Sequence, residues 1–355
     1  VQDINNAEFI WGPDLGSLKG KTVRRQPPAV HTQSTSIPLQ IMQTYRDVTL
    51  STDVMYVQKI PFLMTISRHI KFGSAGKLDS MESKQLVKHF KVIINLYKQR
   101  GFRVHIILAD NQFEPIRGDL ADMGAILNCV SADEHVPEIE RFNRTIKDRV
   151  RAIYNTLPFD YIPPVFIVEM VYASVFWRNM FVLPGGVSDT QSPADLILNR
   201  LVDYNKHCRL EFGQYVQTHE EHDNTMTTRT VGAIATRPTG NIQGGYYFIR
   251  LDTGRRIIRR DWTPLPMPSE VIDQVHRLAR RAKANKTLEF TNMVGEDLDV
   301  LYADIQRDDE DELDSDDDQP AGVVDDDDSD DDYDPANDSD DEEADSIIDE
   351  DSSND

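Results

Sequence analysis

The run FRVHIILADNQFE at residues 102–114 constrains the fold of this chain more than any other stretch. Its aliphatic centre contains no Gly or Pro and is followed by Asp110. A short apolar run bounded by turn signals predicts a buried β-strand. Because an unpaired buried charge is costly, an aspartate at the end of such a strand is expected either to start a turn with Asn111 or to bind a ligand at the sheet edge.

The segments around this strand predict a layered, mixed α/β core at residues 46–185. Three β-rich runs follow one another before the first long helix, which favours an antiparallel meander. Prolines stand where two later helices start, a position at which the missing N–H costs nothing. The predicted elements are strands at 47–57, 60–68 and 69–76, a helix at 80–100, the strand at 102–109, a short helix at 118–123, a strand at 125–130 and helices that start at Pro137 and Pro164.

The charge is distributed unevenly along the chain. The formal net charge is −23, from 61 acidic and 38 basic residues. From Asp304 onwards, 28 residues are acidic and Arg307 is basic, which leaves 33 acidic and 37 basic residues before that point. A slightly basic body followed by an acidic tail favours a nucleic-acid-binding body. A tail that only solubilises the protein is the alternative.

Cysteine usage and hydropathy narrow the class of protein. The two cysteines, Cys129 and Cys208, are too few for a disulfide framework and suit a reducing compartment. The longest apolar stretch, residues 165–183, carries Glu169 and Arg178, so it predicts a buried helix rather than a membrane span. We therefore expect no membrane partner.

Three carboxylates fall where the predicted sheet would bring them together. Asp53 lies within the first strand, Asp110 at the end of the fourth, and Glu140 near the start of the helix after the fifth. If the first and fourth strands are neighbours, both aspartates emerge in one region, and the helix can bring Glu140 to it. Convergent carboxylates suit Mg²⁺ or Mn²⁺, and two such ions can hold the attacking and leaving oxygens of a phosphoryl transfer.

Other acidic residues compete for places in this site. Asp133 and Glu138 are rival third ligands, and Glu114 is a rival near Asp110. Glu138 and Glu140 are two residues apart on one predicted helix, so they face different ways and only one can comfortably join the site. Spacing by itself leaves the choice open.

Three blocks of sequence resemble the core of retroviral and retrotransposon integrases. They are STD at 51–53, ADNQF at 109–113 and EIERFNRTIK at 138–147. Integrases carry an Asp, then Asp-Asn-x-x-Phe, then a Glu that is followed by Arg and an Asn-Arg-Thr stretch. The similarity is closest to Ty1/copia-type retrotransposon polyproteins and extends over about residues 45–265.

The resemblance implies a fold, an activity and a metal site. It places the third carboxylate at Glu140 rather than Glu138. It further implies an RNase H-like core, with a mixed five-stranded sheet and flanking helices, that cuts and joins DNA strands with two Mg²⁺ or Mn²⁺ ions held by Asp53, Asp110 and Glu140.

The resemblance also implies contacts to DNA next to this site. Arg144 and Lys147 follow Glu140 at i+4 and i+7 and share its helix face. Integrases place basic residues there to grip the DNA end. A solvated basic helix face is the alternative.

Partners and location follow from the same resemblance. The expected partners are the DNA ends of the element, target DNA and further copies of the chain. The expected location is the nucleus, and the cytoplasm while the chain is part of a polyprotein. Because the chain starts with Val1, we expect a fragment or a processing product.

Residues 229–267 predict a small β-barrel-like module of the SH3 type, after a linker at 186–228. VGAIATRP, GGYYFIRL and RRIIRRDWTPL are expected to form three strands with Gly-containing turns. In the linker, His219 and His222 do not have the spacing of the helical zinc motif, so a solvated loop is expected there. Arginines interleaved with aromatics suit DNA contact, although a small aromatic core with a solubilising basic face gives the same pattern. The expected DNA contacts in this module are Arg255, Arg256, Arg259 and Arg260.

The remaining segments are predicted from composition. Residues 1–45 are polar and irregular, which favours a basic arm or linker. Residues 268–302 predict a basic helical segment with its helix at 269–286. Residues 303–355 contain too few apolar residues to fold, so a disordered acidic tail is expected, which would compete with DNA for the basic body or recruit nuclear proteins.

Three functions fit these patterns. The first is an integrase that cuts and joins DNA. The second is a decayed or repurposed integrase fragment that only binds DNA, because Gln112 stands where the family commonly has Gly and only 29 residues separate Asp110 from Glu140. The third is an RNase H-like nuclease that cleaves without joining.

Overall fold

The structure is a computed structural model that describes residues 2–20, 34–129, 136–220, 225–284, 286 and 288–290. Within this part of the chain, the strands form two five-stranded sheets. The predicted acidic tail, Asp133 and His222 lie outside the described residues.

The N-terminal segment contains helices where an irregular arm was predicted. They are α1 (Gln2–Trp11), α2 (Leu15–Gly20) and α3 (Leu39–Tyr45). α2 adjoins the second sheet, since the Arg229 N–H donates to the carbonyl of Lys19 at 2.9 Å. The three helices show that this polar segment has regular secondary structure.

The first sheet is mixed and consists of β1 (Asp47–Val57), β2 (Ile60–Ser67), β3 (Gly73–Lys77), β4 (Arg103–Ala109) and β5 (Ile126–Cys129). Its strand order is β3-β2-β1-β4-β5. The β1–β2 and β2–β3 pairs are antiparallel, while β1–β4 and β4–β5 are parallel. The prediction of a mixed five-stranded sheet is confirmed, and the arrangement is consistent with an RNase H-like fold.

The third strand starts later than predicted because a tight turn precedes it. Lys71 has a left-handed φ of 62°, and its N–H donates to the carbonyl of Ser67 at 3.1 Å. The chain reverses here, so β3 begins at Gly73 rather than at residue 69.

Helices cover the first sheet, as predicted. α4 packs against β4, whereas α6 packs against β1 and β2, and α7 against β3 and α6. The apolar positions of α6 recur at helical spacing and are buried, which fixes the face that this helix turns towards the sheet. The helical elements are α4 (Ser83–Gln99), a short 3-10 helix (Asn111–Ile116), α5 (Arg117–Asp122), α6 (Pro137–Thr156) and α7 (Pro164–Asn179).

α7 is apolar on nearly its whole circumference and is largely buried, because it lies between the first sheet and the second. No helix in the described residues combines the length and apolar character required to cross a membrane.

The second sheet is antiparallel throughout, in the order β10-β6-β7-β8-β9. Its own small core is formed by Val216, Ala233, Ala235, Tyr246, Phe248 and Trp262. The strands are β6 (Tyr215–His219), β7 (Thr230–Pro238), β8 (Tyr246–Arg250), β9 (Arg256–Arg259) and β10 (Trp262–Pro264).

The sequence patterns missed part of this sheet. The stretch predicted as a linker contains α8 (Pro193–Leu198), α9 (Tyr204–His207) and β6, and His219 lies on β6 rather than in a solvated loop. β6 lacks an apolar pattern because Gln217 and Thr218 are polar. Both residues are nevertheless buried, since they make hydrogen bonds inside the sheet.

The last predicted strand and helix also differ in extent. RRIIRRDWTPL forms two strands, β9 and β10, rather than one. The basic helix is α10 (Ser269–Arg281), and it ends before Lys283, which has a left-handed φ of 53°.

Candidate functional site

Asp53 and Asp110 come from neighbouring parallel strands. Ser51 of β1 pairs with Leu108 of β4, so positions 53 and 110 fall at the same level of the sheet. Asp53 is partly buried, and its Oδ1 accepts a hydrogen bond from the Val54 N–H at 2.8 Å. Its Oδ2 accepts one from Asn143 Nδ2 at 3.2 Å, which ties β1 to α6.

Asp110 is both a cap and a member of this group. It precedes the 3-10 helix, and its Oδ1 accepts a hydrogen bond from the Gln112 N–H at 3.2 Å. Burial raises the pKa of Asp110, and the hydrogen bonds from Gln112 offset part of that rise. The two interpretations of the strand-end aspartate are therefore compatible.

The pKa of Asp53 is shifted by the charges of the other two predicted ligands. The pKa of Asp53 is raised to about 7, first by burial and then by repulsion from Asp110 and from Glu140 on α6. The hydrogen bond from Asn143 and the charge of Lys147 act in the opposite direction. Like-charge repulsion of this kind requires proximity, so the fold brings these three carboxylates to one place.

The rival carboxylates are engaged elsewhere. Glu138 accepts hydrogen bonds from Arg68 Nε at 2.9 Å and Nη2 at 3.2 Å. Glu114 accepts two hydrogen bonds from Arg117, each 2.7 Å long, and one from the Cys129 thiol at 3.1 Å. These pairings leave Glu140 as the carboxylate of α6 whose charge acts on Asp53.

The three carboxylates fit a hard divalent cation in chemistry and charge. They supply only oxygen donors, and a cation would relieve the repulsion that raises the pKa of Asp53. As the side chains stand, no group of three or more His, Cys, Asp or Glu among the described residues has the spacing to hold a metal ion. Asp110 and Glu140 are exposed, so their side chains have room to move towards Asp53.

The basic residues predicted on α6 differ in their surroundings. Arg144 is exposed. Lys147 lies close enough to lower the pKa of Asp53, and its Nζ stands 5.8 Å from the ring centroid of Phe290. Both residues lie on the helix that carries Glu140.

The four predicted DNA-contacting arginines of the second sheet divide into two pairs. Arg255 and Arg260 are exposed. Arg259 donates to both carboxylate oxygens of Glu220, at 3.0 and 2.6 Å. Arg256 stacks 4.3 Å from the ring centroid of Tyr247 and reaches Glu169 at 3.4 Å.

Two functional or supporting features escaped the sequence patterns. Asn143 bonds Asp53, and its position at i+3 from Glu140 on the same helix face was the available signal. Glu169 of α7 is fully buried and pairs with Arg237 of β7 at 3.1 Å. No sequence pattern connects these two residues, which are far apart along the chain.

Comparisons with known proteins give a distant likeness among solved structures. No protein-family model and no curated protein matches the chain. Among solved structures, the chain is similar to the crystal structure of the catalytic core domain of BIV integrase, with 16% sequence identity and a TM-score of 0.31. The match covers 42% of this chain and 93% of that chain.

Proposed function

We propose that this protein is a divalent-metal-dependent polynucleotidyl transferase of the integrase type, which cuts and joins DNA strands. The observation that carries the proposal is the placement of Asp110 and Glu140 near the partly buried Asp53: burial, followed by the charges of these two carboxylates, raises the pKa of Asp53 to about 7. Carboxylates that repel one another at the edge of a sheet are a site for cations.

Each residue has a role in this proposal. Asp53, Asp110 and Glu140 would hold Mg²⁺ or Mn²⁺, which would supply charge stabilisation at the scissile phosphate and activation of the attacking oxygen. Asn143 orients Asp53 by donating to its Oδ2. Arg144 and Lys147 would contact DNA phosphates beside the carboxylates, and Arg255 and Arg260 would extend the contact over the second sheet.

We further infer that the protein is a Ty1/copia-type integrase that works in the nucleus as a homo-oligomer on element ends and target DNA. The second sheet is an SH3-like module, and the acidic tail binds nuclear proteins.

The test is strand transfer with an oligonucleotide end and Mg²⁺ or Mn²⁺. We expect Asp53→Asn, Asp110→Asn and Glu140→Gln each to lower activity by about 100-fold or more, since each removes a charge that the transition state needs. Glu114→Gln is the matched control, because it makes the same change in an exposed carboxylate paired with Arg117. Full activity in Asp110→Asn would refute the assignment.

A second candidate function is DNA binding without catalysis. It is favoured by the spacing of the carboxylates, which form no metal-holding group as the described side chains stand. If the wild-type chain binds DNA but neither cuts nor joins it in the presence of metal, the result supports DNA binding without catalysis. Cutting without joining would instead select an RNase H-like nuclease.

A further inference from the structure

A cluster of cationic side chains surrounds the turn between β2 and β3. One carboxylate, Glu138, lies among them and is engaged by Arg68 at 2.9 Å. The cationic members come from the turn, from the second turn of α6 and from the end of α7. We call them the turn cluster: Arg68, Lys71, Arg141 and Arg178.

The contacts of the turn cluster leave its charge largely uncompensated. Arg141 Nε donates to the backbone carbonyl of Pro137 at 3.1 Å, and Arg178 Nη1 donates to the carbonyl of Lys71 at 2.9 Å. Backbone carbonyls accept hydrogen bonds but carry no formal charge. Among the residues that the structure describes, four cations therefore surround the one carboxylate of Glu138.

Electrostatics at Lys71 supports this description. Burial lowers the pKa of Lys71, Glu138 raises it, and the charges of Arg141, Arg178 and Arg68 lower it further. The tight turn holds Lys71 in place, with its left-handed φ of 62°. A second anion would therefore be bound favourably at this turn.

The turn cluster adjoins the carboxylate site. The Ser51 hydroxyl contacts Glu138 at 3.5 Å, while Asp53 bonds Asn143. Ser51 and Asp53 are two residues apart on one strand, so they face the same side of the sheet at a separation of about 7 Å. The turn cluster lies on the far side of Ser51 and Glu138 from Asp53, so a nucleic acid strand held at Asp53 would run beside it.

We propose that the turn cluster binds a backbone phosphate of the nucleic acid strand held at the Asp53 site, next to the phosphate that reacts. This inference rests on the proposed function for the identity of the ligand. Arg141 and Lys71 supply the accessible charges, and Arg68 and Arg178 supply the surrounding positive potential. The contact positions the strand and carries no sequence information.

The experiment measures oligonucleotide binding in EDTA as a function of salt concentration. Lys71→Asn keeps a residue that tolerates the left-handed turn, and Arg141→Gln keeps a side chain that can donate to Pro137. We expect each variant to bind roughly two- to fivefold more weakly at 0.1 M salt. We also expect the slope of log K against log salt to fall by about 0.7 to 0.9 for each variant, as one phosphate contact is lost.

Lys91→Gln is the matched control, because Lys91 is an exposed lysine on α4, which packs against β4 rather than against this turn. Thermal unfolding of each variant confirms that it is folded. Wild-type slopes in both Lys71→Asn and Arg141→Gln would overturn the inference, as would a wild-type chain that binds no oligonucleotide.

The outcomes separate this inference from the proposed function. If the turn cluster contributes to binding but Mg²⁺ supports neither cutting nor joining, the proposed function fails and the phosphate site stands. If strand transfer depends on Asp53 while the slopes do not change, the phosphate site fails alone. If inorganic phosphate raises the melting temperature of the wild type but not of Lys71→Asn, and both bind oligonucleotide equally, the site takes free phosphate and the commitment to nucleic acid is overturned.

Discussion

Asn143 on α6 donates a hydrogen bond from its side-chain amide to Oδ2 of Asp53 on β1, across 3.2 Å. Asn143 is buried, so its amide has a fixed position from which to orient the aspartate. The same helix carries Glu140 one turn earlier. The bond therefore sets both the orientation of Asp53 and the placement of α6 relative to the sheet.

Loss of this bond is expected to impair strand transfer without abolishing it. In Asn143→Ala, Asp53 loses a hydrogen bond that lowers its pKa, so that pKa rises. We expect about tenfold lower activity at pH 7 and a shift of the pH–rate profile to higher pH. A uniform loss of activity at all pH values would indicate a structural role instead.

Stability in the absence of metal is expected to depend on the protonation of Asp53. Its folded pKa of about 7 lies above the ordinary aspartate value of 3.8, so the folded state binds more protons than the unfolded state between these values. The contribution of Asp53 to stability is therefore present at pH below 3.8 and is lost as pH rises to about 7.

The consequence is that Asp53→Asn stabilises the metal-free protein at pH 8, by up to about 4 kcal/mol, while making little difference at pH 4. Urea unfolding in EDTA at both pH values checks this. Adding Mg²⁺ should stabilise the wild type and not the variant. Equal effects of the substitution at both pH values would contradict the explanation.

Gly73 is expected to tolerate no side chain. A Cβ at this position would lie 2.2 Å from Cζ of Phe142, whose ring is also covered by Arg178 at 4.4 Å. We expect Gly73→Ala to cost about 1–3 kcal/mol through overpacking and to displace α6, with loss of activity.

Gly118→Ala is the control for this substitution, because nothing lies within 4 Å of the added Cβ and the residue is helical. It should be neutral or slightly stabilising. A double-mutant cycle with Phe142→Leu should recover part of the stability lost in Gly73→Ala. No coupling between the two substitutions would refute the steric cause.

Glu169 is expected to be essential for the attachment of α7 to the second sheet. It is fully buried, and it pairs with Arg237 at 3.1 Å and with Arg256 at 3.4 Å. Glu169→Gln leaves two buried arginines without their carboxylate, which should cost about 3–5 kcal/mol in urea unfolding. Asp47→Asn, in the exposed pair with Arg103, should cost at most about 1 kcal/mol.

The elements with strong periodicity were predictable from sequence. The apolar run of β4 and the helix over α6 with its proline start follow from local patterns, whereas the mixed five-stranded sheet was implied by the integrase resemblance. β6 was missed because Gln217 and Thr218 are buried with hydrogen-bond partners that lie elsewhere in the sheet. A sequence pattern shows which residues are polar. It does not show whether a polar side chain will find a hydrogen-bond partner that is remote in sequence.

Sequence patterns are sufficient to place the strand before Asp110, the three blocks that contain the carboxylates and the uneven charge of body and tail. The fold sets the contacts of the side chains: Glu138 is paired with Arg68, and Arg256 and Arg259 are engaged by carboxylates while Arg255 and Arg260 are exposed. Local patterns do not encode these contacts, because ion pairing depends on distances of a few ångströms between residues remote in sequence. The fold sets those distances when α6 packs against β2 and when β9 comes to lie beside α7 and Glu220.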